Sequence, residues 1–255
     1  YNKNEDVYTI KDANQLYGLR QLSETLDFKG KTIKLANDIV VNEGNASTWG
    51  EVAPTYSWKP IGYNEEFGGK TFQGTFDGKG YTISGLYGKT TKSMMALFGE
   101  IGTNGVIKNL KVTNSYFEAE KSKSDVWGMV AGVVAKSWGT VDTVYSNATL
   151  VNSGTVTGGI VGMMRITGKV EGKCMVSNCW YDGVITANGS TGGIIGDVYG
   201  CEATIESCLF TGTINTINAS GNIGGLCGIV EQNEGALNLI DSLSTGTIKD
   251  ASDKS

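Results

Sequence analysis

Residues 192–197 read GGIIGD, and the phrase returns with small changes as GGIVGM at 158–163, GGLCGI at 224–229, MVAGVV at 129–134 and ALFGEI at 96–101. Aligned on Gly99, Gly132, Gly162, Gly196 and Gly228, the copies recur every 30 to 34 residues. A second phrase falls midway through each unit: VYSNATL at 144–150, CWYDGVI at 179–185, CLFTGTI at 208–214 and SLSTGTI at 242–248, aligned on Ala148, Gly183, Gly212 and Gly246. IKNLKVTNSYF at 107–117 reads as its earliest copy. Two anchors sharing one mean period mark a stacked array of a single supersecondary unit.

The segments between anchors are short, rich in Val, Ile and Thr, and bounded by Gly, Asn and Ser, which describes strands and corners. Leucine-rich, ankyrin and tetratricopeptide patterns are absent. The architecture that remains is an all-β solenoid, a parallel β-helix. Each unit is one coil, and every backbone group finds its partner in the coil above or below, about 4.8 Å away. About seven coils would make a rod about 35 Å tall at that spacing.

Upstream of the repeats, FQGTFDGKGYTISGL at 72–86 supplies Phe72, Phe76, Ile83 and Leu86 to a core, with a turn at Asp77, Gly78 and Gly80. Before it, KTIKLANDIVV at 31–41 alternates as a half-buried strand pair bent at Asn37 and Asp38, and a polar insertion over 42–57 leads into WKPIG at 58–62. The period changes over residues 12–26, where Leu16, Leu19 and Leu22 share one helical face, Asp12 can cap and Gln15 sits where a capping-box partner belongs. Such a helix is expected to cover the N-terminal end of the core. The chain therefore reads as one β-helix domain over 1–255. It comprises a capping helix at 12–26, N-terminal coils with the insertion at 28–95, and repeated coils at 96–248. The absence of an initiator Met and the uncapped KDASDKS ending lead us to expect a piece of a longer chain.

The formal net charge of −5 comes with no basic block to follow a phosphate backbone, so nucleic acid is not expected as a partner. No apolar run reaches the length that spans a bilayer as a helix, and the first residues lack the pattern of a signal peptide. With no histidine in the chain, the usual Ser/His/Asp and Cys/His nucleophile arrangements and histidine metal sites are excluded in their common forms. Cys174, Cys179, Cys201, Cys208 and Cys227 are odd in number and do not repeat a zinc-ligand spacing, so buried small hydrophobes stacked in a column are the preferred reading. No cofactor and no metal is expected, DGKG at 77–80 lacking the further ligands of a calcium loop.

The order of LYGLRQL, GKTIKLANDI, WKPIG, FQGTFDGKGYTISGL, ALFGEIGTNGVIKNLKV and the GGIVG, GGIIG and GGLCG units, from about Asp12 to Ile248, resembles bacterial cell-surface proteins carrying the GLUG motif. Similar segments occur in non-catalytic regions of secreted adhesins and immunoglobulin A proteases. The resemblance implies a right-handed β-helix, an extracellular or cell-surface location, and no catalytic constellation to carry over.

Two functional leads follow from the residues. Asp77, Asp142, Asp182, Asp197, Glu202 and Glu206 lie at or near expected corners, where two carboxyls about 5 to 10 Å apart could cleave a glycosidic bond. None repeats in register with an aromatic floor, so solvated corner carboxylates are preferred. The aromatics are the better lead. Trp49, Tyr56, Trp58 and Tyr63 cluster around the insertion, and Tyr145, Trp180 and Leu209 occupy one column of successive coils. Facing outward, that column would suit sugar rings or another protein. Facing inward it would be core, the preferred phase for large aromatics, although Cys179 and Tyr181 compete for the same interior. The expected function is a non-enzymatic adhesin or stalk module binding host or matrix glycan or protein, with a polysaccharide-cleaving β-helix as the rival and a bare spacer as the third option.

Overall fold

The computed structural model describes residues 2–63, 69–91, 93–120, 128–165, 174–217, 221–231 and 235–250. Among the described residues every strand pairing is parallel, and the strands form four stacked sheets of thirteen, six, five and five. The chain visits them in a fixed order. From Thr140–Ser146 on the long wall it passes to Thr149–Asn152 on the second, Val156–Gly158 on the third and Val161–Arg165 on the fourth, then returns to the long wall at Met175–Ser177. The fold is the parallel β-helix that the repeats demand.

The core is a set of vertical columns. On the long wall Ile33, Phe76, Ile107, Val141, Val176 and Ile205 pair in register from coil to coil, all fully buried, and Leu239 follows them. On the second wall Phe117, Leu150, Ile185 and Ile214 do the same. Leu239 and Ile248 hold the same core positions on the last described rungs and stay exposed, with no further described rung above them.

Helix α1 spans Ala13–Leu22 and connects two paired long-wall strands, Val7–Ile10 and Thr32–Leu35, in place of the other three walls. The Asp12 carboxylate accepts from the Gln15 N–H at 2.9 Å while the Gln15 side chain accepts from the Lys11 N–H at 2.8 Å, a reciprocal cap shifted by one residue. Leu16 and Leu19 are buried against the first coils, so α1 covers the core as expected, with Val7–Ile10 as the outermost rung.

The second glycine anchor is borne out. Gly183, Gly212 and Gly246 stack above Ala148, and a Cβ at Gly212 or Gly246 would run into the carbonyl of the glycine below. The first anchor needs a correction at Gly132. The fourth-wall register pairs Val134 with both Phe98 and Val161, which places Ala135 between Gly99 and Gly162. Gly132 belongs to another column, with Gly159, Gly193 and Gly225, at the corner between the third and fourth walls. There each carbonyl lies where the next glycine's Cβ would be, so the corner has room only for bare backbone.

Candidate functional site

The insertion does not supply the expected surface. Trp58 is buried at 2% exposure, its N–H takes the rung position beside the Tyr87 carbonyl at 2.6 Å, and its indole N–H points to the Ala96 and Leu97 carbonyls. Ile61 and Phe72 bridge to Phe98 and Ile101, so each adds a parallel bridge to the fourth wall. Tyr63 is buried with its hydroxyl 2.7 Å from the Ser93 hydroxyl. Trp49 is buried outside the second wall, packed with Ala46 and Tyr116 and edge-on to Tyr87. An irregular coil must still exclude water from the rungs on either side, and these rings fill the space that regular strands fill elsewhere. Only Tyr56 of this group is exposed, on a backbone pinned by Asn42, which donates to the Tyr56 carbonyl and accepts from its N–H.

The second group does form a surface. Tyr145 pairs in register with Trp180, Trp180 with Leu209 and Leu209 with Leu243, and the column faces outward, against the preferred inward phase. Trp180 is 41% exposed, while its neighbours Cys179 and Tyr181 are buried. The Tyr145 and Trp180 rings lie 4.8 Å apart at 58°. Trp180 is fixed in place by a short relay in which its indole N–H donates to the Thr211 hydroxyl at 2.7 Å, and that hydroxyl donates to Asp182 at 2.7 Å.

Backbone geometry makes the surface concave. Lys79, Asn109, Thr143, Asn178, Ser207 and Asp241 all hold φ between 46° and 56°, and the strand registers stack them in one column over six coils. After glycine, Asn and Asp tolerate this left-handed conformation best, and a turn that repeats in register lets each bend sit on the one below. The bends break the long wall into two facets with a groove of about 500 Å³ between them, lined by Lys79, Asn109, Lys111, Thr143, Tyr145 and Trp180, among others. The polar liners escaped the sequence reading, although part of the signal for the bends is present in the sequence, where Asn109, Asn178, Ser207 and Asp241 each interrupt an apolar run with a turn-forming residue.

The carboxylates beside the groove are structural. Asp77 accepts from the Asn109 amide and the Lys79 N–H, both at 3.0 Å, which makes it the turn residue of DGKG. Asp142 accepts from Ser177 at 2.7 Å, Asn178 at 2.8 Å and Thr143 at 3.1 Å. Lys108 stands between the two acids in register. Burial pushes both carboxyls up, but these hydrogen bonds together with the lysine charge outweigh it and hold them below the usual range. Neither can serve as a protonated acid near neutral pH. Asp197 is pushed up to about 6 by burial and then by the Glu231 charge, but it is sealed within the fourth wall and does not line the groove. Burial, with Asp182 adding to it, raises the Tyr145 phenol, which therefore remains a hydrogen-bond donor.

No family model matches the chain. A candidate Gly-rich membrane protein of Evansella cellulosilytica is 33% identical over 88 residues, covering 34% of this chain and 9% of that protein. Halomucin of Haloquadratum walsbyi is 27% identical over 167 residues, 65% of this chain and 2% of its own length. The chain thus spans less than a tenth of either relative. Among solved structures, a candidate immunoglobulin A1 protease from Bacteroides ovatus superposes with a TM-score of 0.63 at 17% identity, covering 95% of this chain and 83% of that one, a likeness of fold. Among the described residues no helix is long and apolar enough to cross a membrane.

Proposed function

We propose that this chain is a β-helix module of an exported bacterial surface protein and that it binds carbohydrate chains in the groove beside Tyr145 and Trp180. The observation that carries the reading is an exposed, hydrogen-bonded tryptophan packed on a tyrosine and flanked by lysine, asparagine and threonine on a wall of paired parallel strands. Sugar rings present apolar C–H faces to such rings and hydroxyls to such polar groups. The two sequence relatives, named as a membrane protein and a halomucin, support a surface setting, as does the resemblance to GLUG-motif proteins. Binding without cleavage is the reading favoured, because Asp77 and Asp142 beside the groove are held below the usual carboxylate range, whereas glycoside hydrolysis needs one carboxyl to give up a proton.

A glycan array with the purified chain tests this, followed by titration of the best binder. Trp180→Ala is expected to weaken binding at least about tenfold, equivalent to about 1.4 kcal/mol. Equal binding by the variant would remove the groove from the account, and absence of any binder would leave a spacer. Release of sugar products, abolished by one Asp or Glu substitution, would replace the binding module by an enzyme.

A further inference from the structure

Cys179 and Cys208 occupy the same position on consecutive coils. Trp180 pairs with Leu209, so the residues just before them also face each other, and the Leu209 N–H donates to the Cys179 carbonyl at 2.8 Å. Both side chains point into the core, at 1% and 2% exposure. Each thiol turns back on the carbonyl two residues before it, Ser177 at 3.1 Å and Glu206 at 3.3 Å, so the two adopt matching orientations. In-register parallel strands are spaced about 4.8 Å apart, within the Cα separation of about 4.4–6.8 Å that a disulfide spans. Cys227 lies on the fourth wall, paired with Ile195, away from this column.

We propose that Cys179 and Cys208 are oxidised to a disulfide that staples one coil to the next inside the core. The oxidant is a small disulfide or a thiol oxidase, met where exported chains fold. One cysteine thiolate displaces a thiol from the small disulfide to give a mixed disulfide. The second thiolate then attacks the protein sulfur of that bond and releases the second thiol, so the pair gives up two electrons and two protons to the oxidant. Burial pushes the Cys179 thiol well up, so exchange takes place before the coil closes and the finished bond is shielded from reductant.

The chain is unfolded, refolded in a buffer of glutathione disulfide and glutathione, and labelled twice in denaturant, before and after reduction, with two different alkylating reagents. Cys179 and Cys208 are expected to carry the second label in mass spectra, and Cys227 the first. Unfolding in strong reductant should lower the melting temperature by about 5–10 °C, a shift absent from Cys208→Ala. First-label alkylation of both Cys179 and Cys208, with a melting temperature insensitive to reductant, would overturn the proposal. The test is indifferent to glycan binding, so its failure leaves the proposed function standing.

Discussion

Tyr181 and Phe210 stand one residue along from Trp180 and Leu209 on the same two strands, yet the two pairs do opposite work. Tyr181 and Phe210 face inward at 0% exposure with rings nearly parallel, 13° apart and 6.2 Å between centroids, and the Tyr181 hydroxyl donates to the Ala148 carbonyl at 2.8 Å. Trp180, with Tyr145 one coil below, forms the outward platform and is held by the Thr211 hydroxyl. One step of pleat separates a group that holds coils together from a group free to meet a ligand.

The largest test of that contrast removes one ring from each face. Phe210→Ala should cost about 3–5 kcal/mol in chemical denaturation, because the rigid coils above and below cannot collapse into the space. Trp180→Ala should cost less than about 1 kcal/mol, the usual scale for exposed positions. Costs of similar size would show that the outer column is structural. A smaller effect, about 1–3 kcal/mol from overpacking, is expected for Gly193→Ala, whose new methyl would meet the Gly225 carbonyl and the Phe210 ring together.

Titration separates the walls in the same way. The Asp197 proton is held more tightly in the folded chain than in the unfolded one, so this residue weakens the fold above about pH 6 and the penalty fades as pH falls toward about 4. Asp77 and Asp142 have the opposite sign. Their contribution is present above about pH 4 and is lost as pH falls through their lowered values. The melting temperature should therefore rise from pH 7 to about 5 and drop below 4. Asp197→Asn should flatten only the upper limb and Asp142→Asn should flatten the lower. A pH profile unchanged by either substitution would refute these assignments. The smallest effect belongs to Thr211→Val, which frees the indole N–H of Trp180 and should lower the anisotropy of its fluorescence while leaving the melting temperature within about 1–2 °C.

The architecture was readable because a coil must repeat. Gly183, Gly212 and Gly246 announced the stack, since only a bare Cα fits beneath the carbonyl of the neighbouring coil. Gly132 misled because two glycine columns run through the same phrase, one at the corner and one within the following strand, and only the Val134–Val161 register tells them apart. Trp49, Trp58 and Tyr63 misled for a different reason. A polar stretch full of aromatics looks like a binding loop, but irregular backbone has to be sealed, and rings are what seal it. Between Cys179, Trp180 and Tyr181 alternation allowed either phase, and the left-handed bend at Asn178 reset it. That bend shaped the groove, and nothing in a pattern of period two reveals it.

The parallel rungs have a mechanical consequence. All hydrogen bonds between coils point along the axis of the stack, so a pull on the two ends loads the coils in series and opens them one at a time. Each coil that yields releases 30 to 34 residues of chain, on the order of 100 Å of slack. Under tension the molecule would behave as a ratcheted shock absorber that lengthens in steps of similar size, and a cross-link between two coils would delete one step from its extension record.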